Sequence, residues 1–226
     1  MRPVLAVLLG GASLLLMAQG RSSVDRTWTA DFVINSGELV TTGRNPWFIL
    51  EPGYVLTLED RDTRLVITVL DETVRVDNVE TRVVEEPETA KGELVEISRN
   101  FFAISTRTNA VFYFGEDVDM YKGGKVVSHE GAWRSGGNGA RFGLAMPGIP
   151  LLSAKYYQEI ARGVAMDRGE IVGFGETVKT PAGEFRNVLK VLETTPLEPG
   201  VREFKYYANG VGLIQDGDVR LIKYGP

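Results

Sequence analysis

The sequence has no cysteine and a single histidine, His129, among its 226 residues. Without cysteine the chain cannot form disulfides, a thiolate metal site or a cysteine nucleophile, and it cannot carry a lipid on an N-terminal cysteine. One histidine cannot build a multi-histidine zinc or iron site, and no G-x-S-x-G motif accompanies it. The sequence therefore predicts no metal, no cofactor and no catalytic residue.

Positive charge is also scarce. The chain has 25 Lys and Arg against 30 Asp and Glu, a net charge of −5, and its basic residues stand singly between acidic ones. The glycine-rich stretch 135–139 lacks the following Lys-Ser/Thr of a phosphate-binding loop. Nucleic acids and anionic membrane surfaces are therefore poor partners.

The chain has one long apolar run, residues 4–17, which follows Arg2 and precedes Ala18-Gln19-Gly20. This order is typical of a secretory signal peptide, and the run is shorter than the roughly 20 residues that span a bilayer. We expect residues 1–20 to be removed and the mature chain to be exported, to the periplasm or beyond the cell, without a transmembrane anchor. We further expect an N-terminal extension with one strand at 21–44 and a β domain at 45–226.

Apolar residues after the signal recur with a period of two. In segment 63–69, for example, Leu65, Ile67 and Val69 share one face, which is the pattern of a half-buried strand. No window longer than about ten residues has the helical i, i+3, i+4, i+7 pattern. Strands are predicted at 27–34, 53–60, 63–69, 73–77, 79–86, 93–105, 109–114, 118–121, 125–130, 155–162, 165–174, 186–195, 203–206, 211–215 and 219–224.

The connections between these strands are typical of hairpins. Turn residues stand at 122–125, 180–183, 197–200 and 216–217, and the longest loop is predicted at 134–154. Short links of this kind join neighbouring antiparallel strands. The sequence therefore predicts an all-β protein, an antiparallel meander curled into a barrel or half-barrel that protects its edges.

Segment 205–218, KYYANGVGLIQDGD, contains two tyrosines and three glycines. Asn209-Gly210 predicts a type I′ turn, so the glycines are explained by hairpin geometry rather than by a binding site. The alternation places Phe204 and Tyr206 on the buried face and Tyr207 on the opposite one, which predicts that Tyr206 contributes more to stability.

The stretch 180–225 resembles the C-terminal half of a large group of uncharacterised secreted bacterial proteins. Further similarities are the segments 45–48, 51–53, 112–118, 130–133 and 146–148. Asn209 stands where the group usually has proline. The resemblance implies a secreted β-sheet domain, similar in outline to the half-barrels of periplasmic lipoprotein carriers, and implies no established activity.

Carboxylates are the remaining candidates for chemistry. Asp117 and Asp119 share one strand face and could meet a calcium ion, but they lack the spacing of a calcium loop. A pair for glycoside hydrolysis could come from four residues, and the sequence selects none of the pairs: Glu96, Glu159, Glu170 and Glu203.

Aromatic residues occur as adjacent pairs, so one member of each pair faces outward or into a cavity. We take four of them as ligand-binding candidates: Trp47, Trp133, Tyr156 and Tyr206. The sequence thus favours a non-catalytic binding or envelope-associated module for an apolar or carbohydrate ligand, or for an envelope protein. A carboxylate-dependent hydrolase and a structural subunit of an envelope complex are the alternatives.

Overall fold

The computed structural model describes residues 27–226, so the expected signal peptide and its cleavage site lie outside the described residues. The described part consists of strands, turns and one short 3₁₀ helix, Ser36–Glu38. The strands are β1 (Leu39–Val40), β2 (Gly43–Asn45), β3 (Phe48–Leu50), β4 (Val55–Glu59), β5 (Thr63–Val76), β6 (Val79–Ala90), β7 (Glu93–Ser105), β8 (Val111–Lys122), β9 (Lys125–Ser128), β10 (Trp133–Arg134), β11 (Arg141–Met146), β12 (Lys155–Tyr157), β13 (Glu159–Ile160), β14 (Arg168–Thr180), β15 (Gly183–Thr194), β16 (Glu203–Ala208), β17 (Gly212–Asp216) and β18 (Val219–Gly225).

Sixteen of these strands form one antiparallel sheet that is nearly closed into a barrel, as the sequence predicts, and β2 and β3 form a separate hairpin. The main order of the large sheet is β12-β14-β15-β16-β17-β18-β4-β5-β6-β7-β8-β11-β13. Beside this order, β1 pairs with β7, and β9 and β10 pair with β8. Segment 155–160 joins the two edges, since Tyr156 pairs with Gly169 of β14 and Glu159 pairs with Phe142 of β11. Closure of this kind removes the unpaired edges that a long meander would otherwise expose.

Most of the predicted hairpins are confirmed. Lys122 pairs with Lys125, Thr180 with Gly183 and Asp216 with Val219, each across a two-residue turn. In the first of these turns Gly123 and Gly124 both have positive φ, 58° and 73°, which only glycine adopts readily.

Three local predictions are wrong. Segment 27–34 forms an isolated bridge at Thr29 instead of a strand, because Trp28 and Ala30 pack against Tyr157 and the neighbouring core. The predicted loop 134–154 contains β11, which pairs with β8 and β13. The turn at 208–211 is closed by a 3.1 Å hydrogen bond from Val211 N to Ala208 O. Within it Gly210 has positive φ and Asn209 does not, which is the pattern of a type II turn rather than type I′.

The main hydrophobic cluster lies at one end of the barrel, where the β2–β3 hairpin folds against the sheet. Leu50, Leu58, Leu189, Ile214 and Leu221 are fully buried there. Among residues 27–226, no helix has the length and hydropathy needed to cross a membrane.

Candidate functional site

Two adjoining cavities of about 250 and 290 Å³ occupy the barrel interior. They share Leu65 and six charged residues as lining: Glu86, Glu116, Asp167, Glu193, Lys205 and Asp216. A small-molecule site typically has about 300–1,000 Å³, so the pair together falls within that range.

The first cavity extends into an apolar end. Leu65, Ile67 and Val69 of β5 line it, so the period-two pattern of segment 63–69 correctly identified an inward face. Phe48 and Phe102 also line it, and their ring centroids are 5.0 Å apart. This end therefore offers a surface without charge to the apolar part of a ligand.

Along one face of β7 the lining changes from apolar to acidic. Phe102, Asn100, Ser98 and Glu96 follow each other at alternate positions, from the first cavity into the second. Asn100 Nδ2 donates to Ser98 Oγ at 3.2 Å, and Asn100 Oδ1 accepts from the Tyr113 hydroxyl. The polar middle of the strand is thus internally hydrogen-bonded, and the acidic end lies nearest the β6–β7 turn.

Strand β16 faces the cavity with the side that the sequence assigned to solvent. Glu203, Lys205 and Tyr207 line the cavities, whereas Phe204 is 38% exposed. Tyr206 lies on the outer surface, where the Lys190 ammonium is 5.1 Å from its ring centroid. The predicted orientation is wrong because the interior holds charged side chains, so polarity no longer distinguishes the inner face from the outer one.

Lys205 is the centre of an interior charge network. Its Nζ lies 2.8 Å from Glu193 Oε2 and 3.4 Å from Asp216 Oδ2. Gln158 Nε2 donates to the other oxygen of Glu193 at 2.7 Å. Burial opposes the charge of Lys205, but Asp216 and Glu193 outweigh it and raise its pKa well above the usual value, so this amine stays protonated.

The pKa values of several carboxyls around Lys205 are raised as well, which for a carboxyl favours the neutral form. Burial is the main cause that raises the pKa of Glu86 and Glu203 to about 7, of Glu116 to about 8 and of Asp167 to about 6. Neighbouring carboxylates add to each shift, because like charges disfavour ionisation. The cavities therefore hold several carboxyls that exchange protons near neutral pH.

The four aromatic candidates occupy different places. Trp47 lines the first cavity. Trp133 is buried with its ring centroid 5.4 Å from that of Tyr113, and Tyr156 is buried in the main core with its ring against Gly169. Tyr206 lies outside the barrel, so of the four only Trp47 contributes to the cavity lining.

Three of the four candidate glutamates reach the interior. Glu96 and Glu203 line the second cavity and Glu159 the first. Glu170 lines neither, and its Oε2 lies 3.3 Å from Lys155 Nζ.

Asp117 and Asp119 point away from the cavities. Asp117 forms an ion pair with Arg134 at 2.6 Å, and Asp119 contacts His129 Nδ1 at 2.8 Å. Within residues 27–226, no three acidic or histidine side chains are grouped so that they could hold a metal ion.

Sequence reasoning did not single out Glu86, Glu116, Lys205 or Asp216. The available signal was the alternation of Val84, Glu86 and Glu88 on β6, where an apolar face continues as an acidic one. From sequence alone, an acidic strand face of this kind is predicted to be solvent-exposed, because nothing in the pattern shows that the strand lines a cavity.

No family model matches the chain, and neither a curated protein nor a solved structure is detectably similar to it. The resemblance of segment 180–225 to secreted bacterial proteins therefore stays a prediction, and the site is interpreted from its geometry.

Proposed function

We propose that the protein is a non-catalytic binding module that holds a small molecule with an apolar body inside its barrel. The observation that carries this proposal is the apolar end of the first cavity, lined by Trp47, Phe48, Ile67, Val69 and Phe102. A lined, partly enclosed space of this kind is the usual form of a ligand site. An apolar ligand fits better than a carbohydrate, since these side chains offer almost no hydrogen-bonding groups to sugar hydroxyls.

We also propose that the protein works in the periplasm or outside the cell, in association with the envelope, which the N-terminal sequence supports. A role as a purely structural envelope subunit has less support, because such a subunit would be expected to have a filled interior.

Titration with Nile red, an uncharged dye that fluoresces in apolar surroundings, tests the binding proposal. We expect a saturable rise in fluorescence. Ala145 lines the first cavity, so Ala145→Phe should fill part of it and weaken binding about tenfold, the equivalent of roughly 1.4 kcal/mol.

The matched control is Val127→Phe, which adds the same ring at an exposed position of β9 and should leave the titration unchanged. Absence of saturable binding, or equal loss in both variants, would contradict the proposal.

A carboxylate-dependent hydrolase is the second candidate, favoured by one observation. Glu116 and Asp167 line the same cavities with pKa values raised to about 8 and about 6, mainly by burial, so one can carry a proton while the other is ionised. That division suits a general acid and a base. Hydrolysis of chromogenic glycosides that is abolished in Glu116→Gln would favour this function over simple binding.

A further inference from the structure

The barrel interior contains more negative groups than its own side chains can neutralise. Ten carboxyl side chains and one amine, that of Lys205, line the two cavities. Lys205 pairs with Glu193 and Asp216, and none of the other eight carboxyls forms a salt bridge within residues 27–226. An excess of this size inside a barrel is costly unless protons or a bound cation compensate for it.

One carboxylate oxygen in the first cavity also has no hydrogen-bond donor. Asp216 is 9% exposed and lines the cavity, and its Oδ1 has no partner. Its other oxygen, Oδ2, faces Lys205 Nζ at 3.4 Å. Because an unsatisfied buried acceptor is unfavourable, Oδ1 indicates where a donor from a ligand would bind.

We propose that the acidic part of the interior binds the ammonium group of an organic amine whose apolar tail occupies the apolar end of the first cavity. This inference rests on the proposed function and names its ligand class. The ammonium would donate to Asp216 Oδ1, which lacks a donor, and the tail would lie against Ile67, Val69 and Phe102.

The order of the two regions suits such a ligand. Glu88 and Glu96 lie closest to the β6–β7 turn, whereas the apolar end is covered by the β2–β3 hairpin with Trp47 beside it. An amphipathic amine whose tail lies in the apolar end would thus place its charge among the carboxylates.

An organic cation fits this interior better than a metal ion. No three carboxylates among residues 27–226 converge on one point, as a calcium or magnesium ion would require. An ammonium needs only two or three acceptors, and the apolar end has no role in metal binding. Burial also raises the pKa of Glu86 to about 7 and of Glu116 to about 8, so these carboxyls hold protons that an ammonium can replace.

Calorimetric titration of the full chain with octylamine, octanol and octanoate at neutral pH tests the inference. The three probes share one tail length and differ in charge. We expect octylamine to bind at least about tenfold more tightly than octanol, a difference of roughly 1.4 kcal/mol, and octanoate to bind most weakly. Excess calcium should not displace octylamine.

A pair of variants assigns the effect to the interior. Glu86→Gln combined with Asp216→Asn should remove most of the preference for octylamine while octanol binding persists, which also shows that the cavity is intact. Glu85→Gln is the matched control, because Glu85 precedes Glu86 on β6 and faces Arg99 on the outer surface.

The outcomes separate the two proposals. Octanol binding with no preference for octylamine overturns this inference and leaves the proposed function in place. If octanol, octylamine and Nile red all fail to bind, both this inference and the proposed function are overturned. Displacement of octylamine by calcium also overturns the inference. So does a loss of the octylamine preference in Glu85→Gln that equals the loss in the double variant.

Discussion

At the scale of single residues, Lys205 supplies the positive charge with which two carboxyl groups of the barrel interior pair. Its ammonium faces Glu193 and Asp216, at 2.8 and 3.4 Å. Removing one partner of a buried pair costs more than the pair itself contributes, because the other charge is left uncompensated. Lys205 is therefore a structural counter-charge, and its raised pKa argues against a role as an amine nucleophile.

The two neighbouring tyrosines of β16 should differ in their contribution to stability. Tyr207 is 8% exposed and packs in the main core, so Tyr207→Ala should lower the free energy of unfolding by about 3 kcal/mol. Tyr206 lies on the outer surface against Lys190, so Tyr206→Ala should cost about 1 kcal/mol or less. Equilibrium denaturation of the two variants gives the comparison. A larger loss for Tyr206 would mean that β16 has the opposite orientation.

At the scale of elements, barrel closure depends on how closely segment 155–160 approaches β11. Gly143 lies in β11 where the backbone of residues 157–158 crosses it, and a Cβ at this position would be 2.3 Å from Gln158 O. Glycine is required here by close approach of two backbones rather than by its own φ.

Gly143→Ala should therefore destabilise the protein by about 3 kcal/mol, since backbone atoms cannot move aside as a side chain can. Gly37→Ala is the control, because its Cβ would meet only Asn35 Oδ1 at 3.4 Å, and its effect should stay within about 0.5 kcal/mol. Chemical denaturation measures both. Equal midpoints for the two variants would show that the closure is looser than described.

At the scale of the whole molecule, the interior carboxyls make stability depend on pH. Burial raises the pKa of Glu86 and Glu203 to about 7 and of Glu116 to about 8, above the ordinary glutamate value of 4.5. Between pH 5 and 8 the folded state thus binds more protons than the unfolded state. Stability is then present at the acidic side of this window and is lost as the pH rises through the folded-state pKa values.

The melting temperature should accordingly fall by several degrees from pH 5 to pH 8, since 1 kcal/mol corresponds to about 2–4 °C at this chain length. The double variant Glu86→Gln/Glu116→Gln should flatten the profile, and Glu85→Gln should not. Thermal unfolding monitored by circular dichroism measures all three. A profile that rises with pH in every protein would contradict the assignment of these carboxyls to the interior.

Export is the second prediction at this scale. The order of Arg2, the apolar run 4–17 and Ala18-Gln19-Gly20 predicts a mature chain that begins at Arg21. N-terminal sequencing of protein recovered from the exporting host checks it. Uncleaved chain in the membrane fraction would be the opposite result.

The residue pattern alone was enough to predict the architecture. Period-two alternation and two-residue turns are local properties, and local hydrogen bonding makes each pair of strands a hairpin. Leu65, Ile67 and Val69 were placed on an inward face correctly, and the turns at 122–125 and 180–183 form as expected.

The direction of each strand face and the composition of the site required the folded barrel. Alternation divides Glu203, Lys205 and Tyr207 from Phe204 and Tyr206, yet it cannot say which set faces inward. That choice depends on side chains from β6, β8, β15 and β17, which are far apart in the chain. Together they line the cavities in which Lys205 pairs with Glu193 and Asp216. Burial and charge pairing are properties of that assembled space, so the acidic interior emerges only when the sheet has closed.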